Sequence, residues 1–434
     1  MVYKIKGVVF FFATILSQFS FGQLSWHYLS NTPPPPNLEP RYEDVYFIND
    51  TVGWACSLED IIATTNGGQT WTVQKDSVEC RNIKFLTNKI GFAGALNDTC
   101  FYKTTDGGLH WNNIANLLPD PNKNICGMAV INASTLYAVG FWGSPARFFK
   151  TTDTGKTWSV EIMDSLAVGL VEARFIDSLH GFISGQANDS KHDGIILQTN
   201  DGGKTWKKVF DSDRSDELCW KMEFLADTHD SLGYASIESN YYGYDSSFIA
   251  KTTDGGNTWT KKFVCKTNID MEGIGFINDT LGWVGGWSQG AYQTTDGGNT
   301  WSYLNFGTNL NRFFYIRPDL MYASGLSIYK YDNSTTGIAF PTSAYIPHQL
   351  LPCQPNPFSN ITTINFIISA STLVSINVYN SKGEFVTNLV HGYYALGKYS
   401  TQWSCRSCAS GEYIIAMGTS QRYLSEKVIL SNEK

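Results

Sequence analysis

Nine residues recur almost unchanged along this chain: KTTDGGLHW at Lys103–Trp111, KTTDGGNTW at Lys251–Trp259 and QTTDGGNTW at Gln293–Trp301. Looser copies stand at Thr64–Trp71 (TTNGGQTW), Lys150–Trp158 (KTTDTGKTW) and Gln198–Trp206 (QTNDGGKTW). The six closing tryptophans, Trp71, Trp111, Trp158, Trp206, Trp259 and Trp301, fall 40 to 53 residues apart. A repeat of that length is the period of one four-stranded blade. A second signature, a turn followed by Gly-aromatic as in VGWACS, IGFAGA and LGWVGG, with LYAVG and LMYASG as glycine-poor versions, marks seven units through Trp54, Phe92, Tyr137, Phe182, Tyr234, Trp283 and Tyr322. The seventh box is reduced to YKYDNST at Tyr329–Thr335. Short alternating runs of Thr, Val, Ile and aromatic residues broken by Gly, Asn and Asp make the class all-β. The expectation is a seven-bladed β-propeller over residues 23–340.

Each box reads as a hairpin turn. Its acidic or amide residue (Asn66, Asp106, Asp153, Asp201, Asp254, Asp296) accepts backbone N–H groups two residues on, and its glycines supply positive φ. The tryptophan then covers the hairpin while its indole N–H finds an acceptor. Recurrence in six blades argues for structure over chemistry, since an active site needs one constellation. Each box offers one carboxylate where Ca2+ takes 6–8 oxygens, so no metal is expected there. The S/T-x-D-x-G-x-T-W pattern resembles the Asp box of bacterial neuraminidase repeats, and the whole unit over about Leu24–Phe340 is similar to propellers of the photosystem II assembly factor family. The resemblance implies the fold and leaves the function open.

With strands lettered A to D in each unit, the box is the C–D hairpin and shares a face with the A–B turn. The opposite face carries the B–C loops, which lengthen in blades three to five at Phe141–Arg147, Gln186–Gly194 and Ile237–Ser247. Variable loops on a repeated scaffold are where binding residues collect. That surface offers Trp142, Arg147, His192, Asp193, Tyr241, Tyr242 and Tyr244, with Glu217 and Trp220 on an adjoining connection. Exposed Tyr and Trp with a few acids suit a polysaccharide or a protein partner. At the channel mouth, near the starts of the A strands, stand Arg41, Arg81, Glu172, Lys221, Glu272 and Arg312. Three converging arginines are similar to the carboxylate clamp of sialidases, which makes a glycoside hydrolase or sialidase-like enzyme the alternative; a surface scaffold without a ligand is a third reading. No GxSxG, HExxH or P-loop is present, and no motif asks for a cofactor.

Both ends carry export features. Residues 1–22 combine Lys4 and Lys6 with an apolar run and then small residues, the layout of a cleaved signal peptide. No other run is long and apolar enough for a transmembrane segment. The net charge of −7 with no basic run speaks against nucleic acid. The strand LSWHYLS at Leu24–Ser30, followed by a polyproline-type connector, is expected to complete the seventh blade, whose own D strand is missing after Asp332. Among the 9 cysteines, Cys80 and Cys126 are a candidate pair on neighbouring blades, and Cys405 and Cys408 (CRSC) a candidate turn disulfide. After a linker at 341–352, residues 353–434 alternate as a small Ig-like β-sandwich. Pro355-Asn356-Pro357-Phe358, NVYNSKG at Asn377–Gly383, Gly397 before Trp403, Ser410–Tyr413 and a final Lys427–Leu430 closely resemble the C-terminal sorting domain of type IX secretion cargo in Bacteroidetes. That resemblance implies type IX machinery as a partner and a secreted or outer-surface location.

Overall fold

The structure is a computed structural model describing residues 24–34, 41–95, 101–120, 124–140, 146–239, 243–333, 348–368, 372–394, 397–405, 407–419 and 423–431. The expected signal peptide, residues 35–40 of the polyproline connector and residues 341–347 of the linker lie outside them.

Residues 25–332 form seven antiparallel four-stranded sheets. In blade one, strands A to D are Tyr42–Phe47, Gly53–Ser57, Ile61–Thr64 and Thr72–Lys75. Strands B and C are wholly buried, whereas D is half-buried to exposed. This gradient explains the sequence: strands B and C, sandwiched between neighbouring blades, read as largely apolar runs, and the outer strand D carries polar residues. The later A strands are Asn82–Phe85, Gly127–Val130, Ala167–Phe175, Glu217–Phe224, Met271–Phe276 and Arg312–Arg317. Each touches the next, and the first touches the seventh, so the ring is closed. Ser25–Tyr28 supplies the seventh D strand, pairing Trp26 with Tyr331. Trp26 stacks on Phe306 at 4.4 Å and meets Trp283 edge-on at 5.3 Å.

The boxes hold a wider turn than the two-residue reach read from sequence. Thr252 Oγ1 donates to Asp254 Oδ1 (2.8 Å) and accepts from Gly256 N–H (2.9 Å). Asp254 then accepts the N–H and hydroxyl of Thr258, four residues on, at 2.9 and 2.6 Å. Two consecutive positive-φ glycines, Gly255 and Gly256, lengthen the turn and move the acceptor's partner outward. Asn66 keeps the same frame by donating its Nδ2 to Thr70 Oγ1 (2.8 Å). These bonds hold the exposed carboxyl of Asp254 at about 2, and those of Asp201 and Asp296 likewise.

The box also locks one blade to the next. Phe276 of blade six stacks on Tyr234 of blade five at 3.7 Å, and box Trp301 closes on Phe276 edge-on at 6.1 Å. Tyr234 Oη donates to Gly297 O (3.0 Å), and Lys251 Nζ to the same carbonyl (2.6 Å). Phe85 on Trp54 and Phe47 on Tyr322 repeat the stack, at 3.5 and 3.9 Å, with Trp54 Nε1 and Tyr322 Oη reaching the boxes of the following blades. A Cβ on Gly256 would lie 2.3 Å from Phe182 of the preceding blade. The indole N–H of Trp259 bonds to Gly256 O (3.1 Å), but those of Trp71, Trp111, Trp158, Trp206 and Trp301 have no acceptor; their contribution is ring packing.

The Cys80–Cys126 pair does not form. Cys80 packs against Cys56, while Cys126 packs with Val171, Leu218 and Trp220. Cys405 and Cys408 are disulfide-bonded. C-terminally, a sheet of Gln349–Leu350, Thr362–Ile368 and Gly397–Trp403 faces one of Phe385–Tyr394, Thr372–Asn380, Gly411–Thr419 and Tyr423–Leu430 around a shared core that includes Phe358, Phe366, Trp403 and Ile415. Asn356 donates to Lys427 O and accepts Ile429 N–H, so the Pro-Asn-Pro-Phe segment is pinned to the final strand.

Two outcomes follow for stability. Asp254, at about 2 when folded and 3.8 unfolded, contributes stability that is present above pH 3.8 and lost as pH falls toward 2. Acid unfolding followed by tryptophan fluorescence is therefore expected in that window, and Asp254→Asn, which copies Asn66, is expected to weaken its pH dependence. Trp26→Ala is expected to cost about 3–5 kcal/mol by emptying the closing strand, read as a lowered urea midpoint.

Candidate functional site in the central channel

The A strands line the propeller channel, and a bulge in such a strand re-aims a side chain. Register shifts at Tyr42/Asp44, Cys219/Met222 and Met271/Gly273 take Glu43, Lys221 and Glu272 out of the ladder, and a shift at Leu170/Glu172 directly precedes Glu172. The structure gathers all six channel residues anticipated from sequence, but as a buried network. Arg41 bonds Glu43 (2.7 Å) and Glu272 (3.0 Å), and its guanidinium lies 3.6 Å from the Trp287 ring centroid. Arg81 bonds Glu43 at 2.9 Å. Arg312 grips Glu172 through two bonds (2.8 and 3.1 Å) and Asp44 through a third (2.9 Å). Lys221 stands 3.6 Å from Glu172. Asn311 donates to Glu272 and Glu43, at 2.6 and 3.0 Å. The three arginines of the expected clamp thus already hold internal carboxylates.

Sequence reading missed Glu43, Asp44 and Lys84, which complete this network, and Glu223. Burial alone would raise the Asp44 carboxyl, but Arg312 and Lys84, the latter at 2.8 Å, outweigh it and hold it at about 2. Glu223 has no such partner; burial pushes it up to about 7, and the Phe276 N–H (2.8 Å) and Arg174 oppose this only in part.

Beyond the network lies a cavity of about 330 Å³. Lys84, Glu172 and Arg312 form its floor, Glu223 and Arg174 its side, and the half-buried rings of Tyr46, Phe314 and Tyr315 its rim. Its remaining lining includes Leu225, Ile277 and Asn278, at the ends of A strands, so it opens on the face of the A–B turns and boxes. Arg174 is exposed and, among the described residues, forms no ion pair.

The opposite face is organised differently. Trp142, Tyr241 and Tyr242 lie outside the described residues. Arg147 is buried against Asp120 (2.9 Å). Glu217 is fully buried, bonded to Lys261 (2.9 Å) and Ser239 (3.0 Å), and Trp220 is buried beside Cys126. These three side chains are therefore part of the fold rather than an open surface. His192 is exposed, and Tyr244 is half-buried under the guanidinium of Arg214, 3.7 Å from the ring centroid. Asp193 is buried, and burial together with Asp211 raises its carboxyl to about 6.

Two substitutions separate the parts of the channel. Arg312→Leu leaves Asp44 and Glu172 buried without their main counter-charge and is expected to cost about 3–5 kcal/mol in chemical denaturation. Glu223, raised to about 7 from 4.5, stabilises the folded state fully below pH 4.5, and this is lost as pH rises through 7. Glu223→Gln is therefore expected to raise the melting temperature at pH 8 and leave it unchanged at pH 4.

Comparison with known proteins accounts for both halves of the chain. Residues 354–431 match the secretion system C-terminal sorting domain family. No curated protein matches the chain. Among solved structures, YCF48 from Cyanidioschyzon merolae is 16% identical, covering 71% of this chain and 98% of its own, with a TM-score of 0.54. YCF48 bound to D1 peptide is 17% identical over 72% and 98%, with a TM-score of 0.52. An ancestral GH74 enzyme is 11% identical with a TM-score of 0.54; the match spans 94% of this chain and 63% of that enzyme. These likenesses establish the fold. Among the described residues no helix is long and apolar enough to cross a membrane. The sorting domain implies interaction with the type IX secretion machinery and indicates export to the cell surface or extracellular space. The chain is a seven-bladed β-propeller, six blades of which carry the box, followed by a secretion system C-terminal sorting domain.

Proposed function

We propose that the exported propeller is a non-catalytic binding module that takes the end of a peptide or protein segment into the channel from the box face. The observation that carries this reading is the cavity itself: blind at the ion network, rimmed by aromatic rings and served at its side by the unpaired Arg174. A blind pocket admits a chain end, rings pack its apolar side chains, and a guanidinium pairs with a terminal carboxylate through two parallel bonds. A protein of this fold solved with a peptide bound, YCF48, supports the same ligand class.

A hydrolase reading draws on one specific feature, Glu223. A carboxyl near 7 suits a general acid. A glycosidase also needs a second carboxylate across the scissile bond, and Glu172, the other acid lining the cavity, is committed to Arg312.

The test is an array of peptides with free and amidated C-termini beside a glycan array, probed with the intact exported chain and with Arg174→Glu, while release of reducing sugar is followed. Peptide capture that falls more than about tenfold on amidation or on charge reversal is expected. Capture of glycans alone changes the ligand class, and sugar release abolished by Glu223→Gln makes the protein an enzyme.

A further inference from the structure

On the face away from the cavity, the B–C loop of blade four meets the end of its own D strand. Ser212 N–H bonds to Gly194 O (2.8 Å) and Gly194 N–H to Ser212 Oγ (3.0 Å), which fixes the two segments side by side. Asp189 and Asp193 come from the loop and Asp211 from the strand end. One carboxylate oxygen from each lies within 4.8 Å of the other two.

Three carboxylates this close repel unless something positive lies among them. Asp193 is 2% exposed, and its Oδ1 accepts no hydrogen bond. Its nearest cation is Lys191, 4.0 Å away and already on Asp213 at 2.7 Å. Lys208 is drawn to Asp211 Oδ2 at 2.5 Å. Asp189 Oδ1 accepts the N–H groups of Lys191 and His192, which leaves its second oxygen available. Four carboxylates (Asp189, Asp193, Asp211, Asp213) and two ammonium groups (Lys191, Lys208) leave two negative charges, the complement of a divalent ion. Arg214 and Lys261 share the single carboxylate of Glu217, at 3.2 and 2.9 Å, so the wider cluster keeps a net negative charge.

We infer that Asp189, Asp193 and Asp211 form a Ca2+ site that ties the blade-four loop to the connection leading into blade five. The donors are all carboxylate oxygens, the preference of a hard cation. Ca2+ takes oxygens at about 2.3–2.6 Å in a flexible shell, so three oxygens within 4.8 Å of one another can reach one ion. Waters complete the shell. The sequence gives no warning of this site because its three ligands are spread over two elements without a recognised loop motif.

The test uses the intact chain, stripped with chelator, in equilibrium dialysis with radioactive Ca2+. One ion per chain is expected, with a dissociation constant of about 10⁻⁴–10⁻³ M, the range of extracellular modules. The melting temperature is expected to rise by roughly 2–5 °C in about 5 mM Ca2+ and by less in Mg2+. Asp193→Asn is expected to abolish the response and to raise the melting temperature in chelator, because an amide donates to Asp211 where a carboxylate repels it. Asp189→Asn, whose amide oxygen keeps the bonds from Lys191 and His192 N–H, is expected to abolish the response without lowering the melting temperature in chelator. A chain that binds no Ca2+ at that concentration, or binding that survives in both variants, overturns the inference.

Discussion

The stack of an A-strand phenylalanine on the B-strand aromatic of the preceding blade is the contact on which the ring depends. Phe276 on Tyr234, Phe85 on Trp54 and Phe47 on Tyr322 bring ring planes to within 14° of parallel at 3.5–3.9 Å. Such pairs add about 0.5–1.5 kcal/mol each beyond the area they bury. Their position matters more than their energy. The same residues that stack also reach the neighbouring box through Tyr Oη or Trp Nε1, so these three turns are held by the blade before them as well as by their own Asp or Asn side chain. The repeated sequence therefore records an interface between units that are stable only in company.

Closure of the ring forces seven A strands around one axis, and the charged network is how the centre is filled. Buried ion pairs are weak evidence for stability, because desolvation offsets much of their attraction. Here they link distant parts of the chain: Arg312 of blade seven holds Asp44 of blade one and Glu172 of blade four. That arrangement also has a functional consequence. Its buried Lys84, Glu172 and Arg312 line the cavity, and Glu223 and Arg174 beside them form no ion pair among the described residues. The two faces can then serve different ends, a recessed cavity among the boxes and longer loops opposite, while export is assigned to a separate sandwich.

Much of this was legible in the sequence because it repeats. Five Gly-aromatic strands and two glycine-poor versions mark seven blades, and the missing strand after Asp332 pointed to Trp26. The sorting domain was legible through ordered motifs that the fold brings together, as Asn356 on the last strand shows. What escaped was direction. Arg147, Glu217 and Trp220 look like surface residues in a loop-rich stretch, yet each turns inward onto a partner or core cluster. Glu43 and Asp44 look like consecutive polar residues on opposite faces, until a bulge sends both into the network. Period-two reasoning fails at a bulge by construction. The cavity was invisible for a simpler reason: an empty space has no residues of its own, and its lining comes from different blades.

Amide hydrogen exchange on the intact chain tests the central claim most directly, because the boxes are surface hairpins by position and inter-blade joints by bonding. Gly255 N–H on Ser231 O, Gly256 N–H on Thr252 Oγ1 and Thr258 N–H on Asp254 Oδ1 are the amides to follow. If the blades are locked through their boxes, these amides open only with the ring and exchange as slowly as those of strand Met271–Phe276. Exchange at loop rates while that strand stays protected would show the boxes to be local turns and would contradict the account.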